Sequence, residues 1–77
     1  MQIFVQTLTK ERVFALYVDP TDSIHDVKLK IQRLKGVSYC QIRLNFCGRD
    51  MYNNRTLSHY GVNQYSTIKL FLRVRLH

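Results

Sequence analysis

An α+β fold, with one helix packed on a mixed four- to five-stranded sheet, is what this 77-residue sequence predicts. Three observations lead there. Apolar residues alternate with a period of two at both ends of the chain, the period becomes helical between residues 24 and 35, and the strand period returns from residue 42. Residues 1–77 are expected to form a single domain, near the lower size at which a hydrophobic core holds a fold together alone.

In the first run, Met1, Ile3 and Val5 point one way while Gln2, Phe4 and Gln6 point the other, the pattern of a half-buried strand. Thr9 to Arg12 is polar, after which Phe14, Leu16 and Val18 alternate again, so the two runs read as a β-hairpin. The link contains no glycine, which argues for a loop longer than a two-residue type I′ turn. Pro20 ends the second strand because it has no backbone N–H to donate. Ser23 and Asp26 resemble a capping box, so a helix is expected to start at Ile24. Ile24, Val27 and Ile31 then share the face that packs on the sheet, and Gly36 suits the left-handed position that ends the helix. Leu29 falls nearly opposite that face and is expected to be substantially exposed.

Further along, Ile42, Leu44 and Phe46 are read as inward-facing, with Arg43 and Asn45 outward and a turn at Gly48. Residues 49–66 are polar and punctuated by Asn53-Asn54, with Leu57, Tyr60 and Val62 as anchors. The last strand turns Ile68, Leu70 and Leu72 inward and Lys69, Phe71 and Arg73 outward.

Composition narrows the function classes. Apolar residues make up 45% of the chain, enough to fold, yet no apolar run is long enough for a membrane-spanning helix. A secretory leader is not recognisable at the amino terminus. Cys40 and Cys47 lack disulfide-scaffold or zinc-site spacing and are read as free thiols. An intracellular setting, cytoplasmic or nuclear or both, is therefore expected. A net charge of +7 on so small a surface favours acidic partners, whether protein, nucleic acid or anionic lipid.

The element order, together with MQIFVQTLT, DSIHDVKLKIQ, Arg43-Leu44, FCGRD, NRTLSHYGV and STIKLFLRVR, resembles the ubiquitin family across essentially the whole chain. That resemblance implies the β-grasp fold. It also implies a docking face at Leu8, Asn45 and Phe71, edged by Gly48, Arg49 and Lys69, with Arg43 and Arg73 completing a basic rim. Asn45 replaces a family isoleucine at the centre of that face. Burying an unpartnered amide costs about 1–3 kcal/mol, so ordinary ubiquitin receptors are expected to bind weakly. Two further family surfaces map onto Val37, Leu72 and Val74, and onto Gln2, Phe4 and Val13, where Phe4 is either exposed or packed on Val13.

The conjugating members of the family end in a diglycine, and this chain has Leu76 and His77 in those places. Side chains there should block the narrow channels that admit only a backbone without Cβ. Of the chain-building lysines, only Lys28 and Lys30 are matched. Gln6, Arg12, Leu34, Arg49 and Gln64 occupy the other positions. Lys28 has a buried, ion-paired counterpart in the family, but Asn53 stands in place of its acidic partner, which should lower stability. Tyr60 is expected to keep the family's hydrogen bond to a loop backbone.

No enzyme chemistry is supported. His25, His59 and His77 have no triad or metal spacing, the glycines form no phosphate-binding loop, and no cofactor is expected. The sequence thus reads as a monomeric, non-conjugated ubiquitin-like domain that binds proteins non-covalently. Its expected partners are proteins of the ubiquitin and proteasome system with acidic docking surfaces, and it would form the amino-terminal part of a larger protein; no membrane partner is expected. The rival readings are a basic nucleic-acid-binding domain, stacking bases on Tyr17, Tyr39, Tyr52 and Tyr65, and a diverged copy with little retained function.

Overall fold

A computed structural model describes residues 1–7 and 12–73. Leu8, the rest of the first loop, and residues 74–77, including Val74 and the two residues in the diglycine positions, lie outside the described residues.

The strands are β1 (Gln2–Thr7), β2 (Val13–Tyr17), β3 (Ile42–Phe46), β4 (Arg49–Asp50) and β5 (Thr67–Leu72), and the helix is α1 (Ile24–Lys35). They form one five-stranded sheet in the order β2-β1-β5-β3-β4. The β1–β5 pair is parallel and the others antiparallel, so the sheet is mixed, as expected. A parallel pair needs a crossover connection, and α1 lies within it. The hairpin ladder reaches the Thr7 N–H, which donates to the Arg12 carbonyl at 2.8 Å.

The helix begins where the capping chemistry places it. Ser23 accepts a hydrogen bond from the Asp26 N–H at 3.0 Å, and the Asp26 carboxylate accepts one from the Ser23 N–H at 3.4 Å. Gly36 closes it with φ 73°, a left-handed conformation that costs glycine little. Ile24, Val27 and Ile31 are fully buried against Ile3, Val5, Leu44, Leu57 and Ile68, and Met51 adds to the core from the loop after β4. Tyr60 fulfils its structural role: its hydroxyl accepts the Tyr52 N–H at 2.7 Å.

Three side chains depart from the sequence reading. Leu29 is half-buried rather than substantially exposed, because a helical side chain lies back over the preceding turn and loses surface there. Leu72 is paired with the buried Ile42, yet remains 48% exposed at the end of the last strand. Phe4 is half-buried by stacking on Tyr65 at a centroid distance of 6.3 Å, while Val13 stays exposed.

The β3–β4 hairpin sets up the first prediction. Its turn residues Cys47 and Gly48 both have positive φ, 53° and 81°, the requirement of a type I′ turn between Phe46 and Arg49. Glycine tolerates this at either position, whereas the Cβ of Cys47 is strained there by about 1 kcal/mol. Cys47→Gly is therefore expected to raise the urea midpoint, by up to about 1 kcal/mol of stability at unchanged m-value, less glycine's added chain entropy. A lower midpoint would contradict this account of the turn.

Candidate functional site

Strand register decides which side chains share the solvent face of the sheet. The pairs Gln6↔Val13, Gln6↔Lys69, Lys69↔Asn45 and Asn45↔Asp50 join all five strands in one cross-sheet row. Two pairs along, Arg43 sits opposite Phe71 on the same face, because side chains two residues apart share a side. The register therefore brings Arg43, Asn45, Lys69 and Phe71 together. Phe71 and Asn45 are half-buried, and Arg43, Lys69, Arg49 and Arg73 are exposed. Gly48 and Arg49 lie beside them in the β3–β4 hairpin.

Asp50 is the residue that sequence reasoning missed at this face. Its carboxylate accepts one hydrogen bond from the Arg43 guanidinium at 2.9 Å and one from the Asn45 amide at 3.4 Å. The Asn45 amide and then the Arg43 guanidinium hold the Asp50 carboxyl below the usual carboxylate range. Asn45 is thus not an unpartnered amide, and Arg43 is not a free rim cation. The ion pair is half-exposed at both ends, and such pairs contribute little to stability. Any group that covered Asn45 would also have to desolvate that carboxylate. A signal for Asp50 did exist in the sequence: a two-residue turn at 47–48 necessarily sets residue 45 opposite residue 50.

A second arrangement lies at the β3–β4 edge of the sheet. Lys28 projects from α1 with only 8% of its surface exposed, and its ammonium donates to the Asn53 amide oxygen at 2.7 Å. Burial, and next the positive charges of Arg73 and Arg43, push the Lys28 ammonium below its ordinary value of 10.5. Lys30, the other matched lysine, is engaged as well. It pairs with Asp22 at 2.9 Å and donates to the Tyr17 carbonyl at 3.2 Å.

Among the described residues, no group of histidine, cysteine and acidic side chains could hold a metal ion. No described helix is long and apolar enough to cross a membrane. The four tyrosines of the nucleic-acid reading fall into two groups. Tyr17 pairs with Gln2, whose carbonyl accepts the Tyr65 N–H, while Tyr39 and Tyr52 line a cleft on the opposite side of the sheet order.

One helix on this mixed sheet, with a polar and aromatic solvent face, defines a ubiquitin-like β-grasp domain. The sequence model of the Ubiquitin family matches residues 3–75, and the chain belongs to that family. It is 36% identical to AN1-type zinc finger protein 4 of Mus musculus over 75 residues, 97% of this chain and 10% of that protein. It is 33% identical to ubiquitin-like protein NEDD8 of Dictyostelium discoideum, over 97% of this chain and 96% of that one. It is also 28% identical to NEDD8-like protein RUB3 of Arabidopsis thaliana, over 97% and 95% of the two chains. The chain therefore spans a tenth of the first of these relatives and nearly the whole of the other two.

The Lys28–Asn53 contact yields the second prediction. Asn53→Asp supplies a carboxylate to a buried ammonium that has only an amide, and it should stabilise the fold at pH 7 by about 1 kcal/mol, discounted for the exposure of residue 53. The introduced carboxylate has its pKa lowered on folding. Its contribution is therefore present above about pH 4, the unfolded value, and is lost as the pH falls through the folded value. In the parent protein, the depressed Lys28 pKa acts on the alkaline side. The cost of its charge is fully present below the folded pKa and is relieved as the pH rises through it towards 10.5. Urea denaturation at neutral and at acid pH measures the first effect, and equal stability of the two proteins at pH 7 would contradict it.

Proposed function

We propose that this ubiquitin-like domain binds proteins non-covalently through the solvent face of its sheet and is not itself conjugated. The observation that carries the reading is the cross-strand placement of Phe71, Arg43, Lys69 and Asn45 on one face, with Arg49 and Arg73 exposed near it. An aromatic anchor ringed by cations fits a partner that presents an apolar spot within carboxylates. Proteins of the ubiquitin and proteasome system are the proposed partners. Asn45 with its Asp50 hydrogen bond selects against receptors that require an apolar centre, because docking them would desolvate both groups.

The chain's span of one tenth of the zinc finger relative supports its working as one domain of a larger protein. Leu76 and His77, where conjugating members have glycines, support the absence of carboxyl-terminal activation. The environments of Lys28 and Lys30 support poor chain assembly, since one ammonium is buried and the other is held by Asp22.

Two measurements test this reading. Incubation with ATP and ubiquitin-activating enzyme should give no thioester, and a clear thioester band would refute the non-conjugated assignment. Binding to a purified ubiquitin-receptor domain should be at least about tenfold weaker than ubiquitin's, and Asn45→Ile should recover much of the difference, given about 1–3 kcal/mol for the buried amide. Equal binding by the parent and N45I proteins would remove the sheet face from the proposal.

A further inference from the structure

The Lys28 edge of the sheet opens into a cleft of about 500 Å³, within the roughly 300–1,000 Å³ typical of small-molecule sites. Residues distant in sequence converge there: Lys28 from α1, Arg43 from β3, Arg73 after β5, and Asn53 and Asn54 from the loop after β4. Asp50 also lines the cleft and already accepts the Arg43 guanidinium. Three cations against one carboxylate leave the cleft with a formal charge of +2, by subtraction of one from three.

We propose that this cleft is an anion site that takes a phosphate monoester, with the phosphoryl group among Lys28, Arg43 and Arg73. A phosphate monoester carries about −1.5 to −2 charge at pH 7, which matches the surplus, whereas a single carboxylate leaves half of it unanswered. The donor types fit as well. The planar guanidinium fork of Arg73 suits a phosphate's paired oxygens, Arg43 keeps donors beyond the one given to Asp50, and the Lys28 ammonium contributes a point charge. Asn53 accepts from Lys28 through its amide oxygen, which leaves its NH₂ group and that of Asn54 as neutral donors at the wall. Tyr39 and Tyr52 also border the cleft, and their aromatic surface offers contact to the organic part of an ester. Lys28 explains why the site has residual demand. It is a nearly buried ammonium whose ionic neighbours are two further cations, and a bound dianion would offset that repulsion. The site shares Arg43 with the docking face but does not depend on that face binding any protein.

The test is a titration of the ¹⁵N-labelled full chain with inorganic phosphate, O-phosphoserine and, as a monoanion control, acetate, all at constant ionic strength. Phosphate and phosphoserine should produce saturable shifts of the Lys28, Asn53 and Asn54 amides, with acetate at least about tenfold weaker. A tighter response to phosphoserine than to phosphate would show that the organic part contributes, and the reverse order would overturn the ester assignment. Asn53→Asp should abolish saturation, because the new carboxylate occupies the Lys28 ammonium from within the protein. Arg73→Gln, at an exposed position that leaves the core intact, should weaken binding several-fold. Shifts of equal size at Arg33, Lys35 and Lys69, saturation by acetate at the same concentration, or unchanged binding by both variants would overturn the proposal.

Discussion

The parallel pairing of β1 with β5 is the contact on which the rest of the molecule depends. It joins the first and last strands at the centre of the sheet, with Val5 beside Ile68 and both fully buried. Because a parallel pair cannot be closed by a short turn, everything between the two strands has to travel across the sheet and back, and α1 is laid over the core in doing so. The pairing also sets the position of β3 on the far side of β5, and so the places of Arg43, Asn45, Lys69 and Phe71 on the solvent face. Lys69 stands between Gln6 and Asn45 only because β5 is shared between β1 and β3. A one-residue slip of β5 would expose Ile68 and Leu70 and bury Lys69, so the hydrophobic pattern that makes the core also fixes the register of the site.

On that frame, the balance of charge is arranged locally. A sum of +7 suggests a uniformly basic surface, but the cations are not equivalent. Lys30 is neutralised by Asp22 and Arg43 by Asp50, and Lys35 lies over the Phe14 ring at 4.5 Å from its centroid. Lys28 has no carboxylate among the described residues and is held by an amide instead. The acidic side chains are too few to pair with every cation, and some of the described ones order the backbone instead, as Asp26 does at the start of α1. Asp19, for example, accepts the Thr21 N–H at 2.9 Å within the loop before α1. At the edge shared by Lys28, Arg43 and Arg73, three cations meet the single carboxylate of Asp50, so positive charge is left over there.

Most of the fold was legible in the sequence because its signals are local. The Ser23–Asp26 box, the Ile24, Val27 and Ile31 stripe and the alternations around Ile3, Leu44 and Ile68 each report on residues within a turn or a strand of one another. The half-buried state of Leu29 and the stacking of Phe4 on Tyr65 were not legible. The first depends on how a flexible side chain lies over its own helix, the second on a residue 61 positions away that adopts φ 65°. Family resemblance points to one sheet face, and the register places Arg43, Asn45, Lys69 and Phe71 on it, while Leu8 lies outside the described residues. What the reading lacked was Asp50, which changes Asn45 from an isolated amide to part of a hydrogen-bonded group. That pairing follows only when the turn is counted as the two residues Cys47 and Gly48, which sets residue 45 opposite residue 50.

The replacement of a carboxylate by Asn53 links the stability of the domain to its chemistry. A lysine buried to this degree is tolerated when a charge answers it, and an amide answers only its hydrogen-bonding need. The surrounding guanidinium groups make the shortfall larger. The carboxylate nearest in function, Asp50, is committed to Arg43 and Asn45. An internal acid would make the fold sturdier and the cleft electrostatically quiet. Its absence leaves the same ammonium as a source of instability in the free domain and as a binding determinant for an anion from outside. The two consequences have one cause, and a single carboxylate placed at residue 53 would remove both.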